Sequence, residues 1–141
     1  MHGYTGYKLY LNMQGAAMKA IYPVTITNKL AECKTFYTET FGFSVVFEAD
    51  WYVQLLHKTS GVELAIMKPN LDNQPKQLHA EFSGKGIVYS LEVEDAAAEY
   101  ERIQKTSADV FYPLTTEEWG QEHFMLTDPA GVTIDVVQQV K

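Results

Sequence analysis

The chain has 141 residues and a net charge of −7, with 46% hydrophobic and 21% charged side chains. That size suits one domain or two small modules sharing a core, and the balance is globular, which excludes a disordered polymer. The acidic excess argues against nucleic acid, which calls for basic surface along its phosphates, and the apolar runs are strand-length, so no membrane partner is expected. The charge is uneven: residues 1–85 hold 8 basic and 7 acidic side chains, residues 86–141 hold 3 and 11. The lone cysteine, Cys33, rules out an internal disulfide and a cysteine-built zinc site, and it fits a reducing, cytoplasmic compartment.

Residues 1–17 lack a basic start followed by an apolar core, so they read as a flexible N-terminal extension and not as a secretory signal. Ile21 to Thr27 alternates as a half-buried strand, with Tyr22, Val24 and Ile26 on one face. Asn28 is placed to cap a helix, in which Leu30, Cys33, Phe36 and Tyr37 recur at helical spacing and which Gly42 ends. Three strands are predicted next, over Phe43–Glu48, Trp51–Lys58 and Val62–Lys68, with Ser60-Gly61 as a tight turn. This gives a first module over 18–68, followed by a polar linker over 69–85.

The same order then recurs over 86–141. Ile87–Val93 reads as a strand, Asp95 caps a helix, and Val110–Leu114, His123–Thr127 and Val132–Val140 complete the set. Asp128-Pro129-Ala130-Gly131 supplies the last turn. Identity between the halves is low, and the order of elements alone carries the repeat.

Three segments resemble a known family. FYTETFGFSVVFE (Phe36–Glu48) is similar to the helix-to-strand signature of the glyoxalase/bleomycin resistance/dioxygenase (vicinal oxygen chelate) superfamily. TDPAGVTIDVV (Thr127–Val137) resembles its closing hairpin, and EEWGQEHF (Glu117–Phe124) resembles a stretch of the bleomycin-resistance-like branch. The resemblance spans Ile21 to Val140. It implies an α+β fold of two paired βαβββ modules whose mixed sheet curls around a shared cavity, paired within one chain or exchanged between two. A homodimer is expected.

Metal-using members carry ligands on the first and last strand of each module. Here those positions hold Ile21 or Tyr22, Ala65, Val88 and Asp135. A catalytic metal usually needs at least three protein ligands and only Asp135 remains, so no metal and no cofactor is expected. His2 and His79 lie outside the modules. With a two-residue turn at Ser60-Gly61, Lys58 opposes Glu63, and His57 and Glu63 point to opposite faces. With a three-residue loop after Asp128, Met125 opposes Asp135 and His123 lies diagonally across the same face. A His123–Asp135 pair is thus the candidate acid–base or catalytic pair.

Alternation assigns Val24, Ile26, Leu64, Ile66, Leu91, Val93, Phe124, Leu126, Ile134 and Val136 to the helix-facing side. The opposite face then offers Thr25, Tyr52, Gln54, Glu63, Ser90, Glu92, His123, Met125 and Asp135 as ligand-binding candidates, together with Trp119 at a strand end. Aromatic faces near Glu117, Glu118 and Glu122 suit a planar cation. Two readings follow. The first is a protein that binds or sequesters a small organic, antibiotic-like ligand. The second is a superfamily enzyme (a lyase, isomerase or thiol transferase) with a rearranged site using Asp135 and His123.

Overall fold

The computed structural model describes residues 17–140. The first 16 residues, with His2 and nearly all of the expected flexible extension, lie outside the described part. The elements run β1 (Val24–Ile26), α1 (Leu30–Phe41), β2 (Ser44–Ala49), β3 (Tyr52–Leu56), β4 (Glu63–Met67), β5 (Val88–Glu92), α2 (Ala96–Gln104), β6 (Asp109–Glu117), β7 (Gln121–Thr127) and β8 (Thr133–Gln139). A short 3-10 turn, Lys76–Leu78, lies between the halves. The strands form two four-stranded mixed sheets, ordered β1-β4-β3-β2 and β5-β8-β7-β6. In each, the first strand is parallel to the last and the other pairs are antiparallel. The repeated α+β pattern is therefore present, but the sheets stay separate and do not join into one closed curl. Among the described residues no helix is long and apolar enough to cross a membrane.

The two helices begin differently. Asp95 caps α2 by accepting from the Ala98 amide at 3.0 Å. Asn28 does not cap α1: its amide and side chain donate to Glu81 at 2.8 and 3.1 Å, while Thr27 Oγ1 accepts from Lys29 N. The competing carboxylate comes from 53 residues away, beyond any local signal. Gly42 ends α1 with φ of 72°, a left-handed position that suits glycine.

The last hairpin has the expected register, with Met125 opposite Asp135. The first does not. The loop is longer than two residues, closed by Gly61 N to His57 O at 2.7 Å, and Glu63 pairs with Leu56 instead of Lys58. His57 leaves the strand and packs its ring on Phe43, so it still does not meet Glu63.

One face assignment is overturned. Thr25 pairs with Ile66, and Ile66 is in the core, so Thr25 and Thr27 turn inward and are buried while Val24 is 40% exposed. Cross-strand partners share a face, so the register of β1 on β4 outranks the apolar pattern of a short edge strand. The Thr25 hydroxyl is satisfied inside by Tyr89 OH at 3.0 Å.

A single core joins the halves. Cys33 and Tyr37 of α1 pack with Val53, Leu55, Leu64 and Ile66 from one sheet, and with Ile103, Phe124, Leu126, Ile134 and Val136 from the other half. Leu91 and Val93 pack against it half-buried. Burial pushes the Cys33 thiol up to about 12, which leaves it inert. Across the join, the Tyr37 hydroxyl donates to Asp128 Oδ2 at 2.6 Å, both groups buried. Asp128 Oδ1 accepts from the amides of Ala130 and Val132.

Candidate functional site

The sheet faces turned away from the core carry the polar candidates. On the first sheet, Gln54 pairs with Ala65 and Tyr52 with Met67. The Tyr52 hydroxyl donates to Gln54 Oε1, and Gln54 Nε2 donates to Glu63 Oε1 at 2.8 Å. Tyr52 also packs beside Trp51 and Phe47, at ring separations of 5.3 and 6.1 Å. Burial, then the neighbouring Tyr22 hydroxyl, raises the Tyr52 phenol above its ordinary range. The sequence candidates Tyr52, Gln54 and Glu63 thus form one hydrogen-bonded chain.

On the second sheet the chain is ionic. His123 is 4% exposed and lies between two carboxylates. Its Nδ1 meets Asp135 Oδ1 at 2.7 Å, and its Nε2 meets Glu117 Oε2 at 2.8 Å. The Tyr112 hydroxyl donates to the same Glu117 oxygen at 2.8 Å, and its ring lies 5.4 Å from the imidazole. A neutral imidazole has one N–H and could satisfy one carboxylate only; the imidazolium donates to both. Burial pulls the His123 pKa down, but the bonds to Glu117 and Asp135 outweigh it and leave it raised. His123 and Tyr112 hold the Glu117 carboxyl below its ordinary value, and Glu117 raises the Tyr112 phenol.

These donors do not fit a resident metal. Both ring nitrogens of His123 are taken, Glu117 and Asp135 sit on opposite sides of the ring, and Asp135 is flanked across the strands by Met125 and Ser90. Among the described residues no three His, Cys, Asp or Glu side chains converge as a metal requires.

A crevice of about 820 Å³ opens between the two halves. Its walls include Phe41, Phe43, Leu64 and Leu91, and the candidates Glu63, Ser90 and Glu92 line it. Ser90 is exposed and pairs directly with Asp135 on the neighbouring strand. Adjacent strands lie about 4.8 Å apart, so the backbone of Ser90, on the crevice wall, lies one strand from that of Asp135. Glu92 is exposed and Met125 half-buried. Two candidates stand apart: Thr25 lies on the core side, and Trp119 is 66% exposed with its indole N–H on Gln121.

The tie of Glu117 and Tyr112 to His123 was not legible in the sequence. The predicted strand stopped at Leu114, whereas β6 runs on to Glu117 and folds back so that Glu117 pairs with Gln121. The available signal was Gly120, three residues before His123, which marks the turn.

The family model of the Glyoxalase/Bleomycin resistance protein/Dioxygenase superfamily matches residues 21–136. Among solved structures, a glyoxalase/bleomycin resistance protein/dioxygenase from Nocardioides is 18% identical, with a TM-score of 0.75 over 97% of this chain and 94% of that one. TnmS3, an antibiotic binding protein from Streptomyces sp. CB03234, is 22% identical, with a TM-score of 0.66 over 89% and 98%. TioX from Micromonospora sp. ML1 is 14% identical, with a TM-score of 0.65 over 86% and 99%. At these identities the likeness establishes the fold. No curated protein matches the chain.

Proposed function

This chain belongs to the glyoxalase/bleomycin resistance protein/dioxygenase superfamily, and we propose that it serves as a metal-independent binding protein for a small organic, antibiotic-like cation. The observation that carries the reading is the nearness of crevice and cluster: Ser90 lines the crevice and is the backbone partner of Asp135 on the neighbouring strand. A ligand's planar body fits the crevice, whose volume is that of a drug-sized site, while its charge reaches the acidic cluster. An antibiotic binding protein among the solved structures of this fold supports the bleomycin-resistance-like branch. The lone buried cysteine supports a cytoplasmic setting.

The working unit is a homodimer. Strands β1 and β5 end their sheets, and Val24 and Val88 on them are 40% and 51% exposed. Exposed apolar side chains of this kind are what a second copy covers. The enzyme reading keeps Asp135 and His123 as its acid–base pair, but it requires Glu117 to leave His123 Nε2 before that nitrogen can meet a substrate.

A thermal-shift panel on chelator-treated protein tests the binding reading. Planar organic cations are expected to raise Tm, and Tyr52→Ala, Ser90→Trp and Asp135→Asn each to reduce the rise. A panel in which only divalent metals raise Tm, and organic compounds act only when metal is added, overturns it.

A further inference from the structure

Four strands surround His123, and none carries a lysine or arginine: β5, β6, β7 and β8 read VYSLE, DVFYPLTTE, QEHFMLT and TIDVVQQ. The groups facing the imidazole are Glu117 and Tyr112 from β6 and Asp135 from β8, with Glu92 of β5 one strand further, paired to Val137. On the other sheet face α2 packs through Tyr100 on Phe124, and its Glu99 and Arg102 pair with each other. Among the described residues of these strands, the proton on His123 is therefore the positive charge set against two adjoining carboxylates. Each carboxylate commits one oxygen to the ring, Oδ1 of Asp135 and Oε2 of Glu117.

We propose that Glu117, Tyr112 and Asp135 make His123 a resident cation that an organic ammonium or amidinium ligand replaces, so that each ligand bound releases one proton. This rests on the ligand-binding reading above and names the selecting group in that site. With its proton the cluster carries a net charge of −1; without it, −2. A monocation at the doubly negative form restores the same balance: protonated cluster plus ligand cation gives cluster–cation complex plus a proton to solvent. The neutral imidazole keeps its remaining N–H on Asp135, and Glu117, the longer arm on the edge strand β6, turns from Nε2 to the ligand with the Tyr112 hydroxyl still on it. By reciprocity, a ligand that expels the proton binds more tightly as pH rises, up to about tenfold per pH unit while the free protein is protonated. A neutral isostere gains nothing.

The test is the titration of the His123 ring by NMR on the full-length protein, from about pH 5 to about pH 10. It is recorded free, with saturating benzamidinium, and with benzamide. The expected result is a His123 pKa above the ordinary histidine value in the free protein, lowered by about one unit or more with benzamidinium and unmoved by benzamide. Glu117→Gln, which keeps an acceptor but removes the charge, is expected to lower the free value and shrink the benzamidinium effect; Asp135→Asn provides a second variant should the first misfold. Benzamidinium and benzamide binding equally, with the His123 pKa unchanged, overturns the proton exchange and leaves the binding reading standing. No perturbation of either sheet by either compound counts against both.

Discussion

The two halves place the same backbone next to opposite chemistry. The third residue of β4 is Ala65, between Val24 and Gln54; the third residue of β8 is Asp135, between Ser90 and Met125. The first sheet runs its polar chain through an amide, Tyr52–Gln54–Glu63, whereas the second runs it through an imidazole, Tyr112–Glu117–His123–Asp135. An amide fixes side chains and carries no proton to exchange, while a histidine between carboxylates stores one. On the binding function proposed above, the first half, with its aromatic cluster at Phe47, Trp51 and Tyr52, would supply shape and the second charge.

The comparison holds only if the halves share one core, and the largest expected effect tests that. Asp128→Ala removes the acceptor of the buried Tyr37 hydroxyl and of two amides, and is expected to cost about 3–4 kcal/mol in urea unfolding. The unfolding should remain a single transition. Two separated transitions would mean that the halves are independent modules, and the comparison would be one of neighbours only.

Next in size is the contrast between the two polar chains. His123→Ala leaves Asp135 and Glu117 without their shared cation and is expected to cost about 2–3 kcal/mol. Gln54→Leu, at a residue 9% exposed, should cost about 1 kcal/mol, since it loses the bond from the Tyr52 hydroxyl and the bond to the Glu63 carboxylate but gains apolar contact. Equal losses would show that the chain built on an imidazole is no more demanding than the one built on an amide. Smaller again is the pair of helix starts: Asp95→Ala should cost about 1 kcal/mol, and Lys29→Ala at the matching position of α1 nearly nothing, because no side chain caps there.

The shallowest effect is in pH. The raised His123 pKa contributes stability fully present below its ordinary value of 6.5 and lost as pH climbs through the folded value. The lowered Glu117 pKa contributes stability present above its ordinary 4.5 and lost as pH falls through the folded value. Both are in full force between those ordinary values, so thermal stability should be broadest there and Glu117→Gln should flatten the acid side. An unchanged acid limb would remove Glu117 from the ionic chain.

Local signals located most of the architecture. Alternation, Gly42, Asp95 and the Asp128–Gly131 turn fixed the element order and the register that sets Met125 opposite Asp135. What failed was decided at long range. Val24 and Ile26 look like core residues until pairing with β4 turns Thr25 inward, and Asn28 looks like a cap until Glu81 claims it. In the site, the His123–Asp135 pair followed from a period of two and a hairpin length. The second carboxylate needed the course of β6 through two register shifts past Val110 and Tyr112, which composition does not encode.

The most direct test of the account is calorimetry of a planar organic cation binding to wild-type protein before and after exhaustive chelation. The expected result is one affinity in both preparations, weakened by Asp135→Asn. Binding that disappears on chelation and returns with a divalent metal would contradict a metal-independent site built around His123.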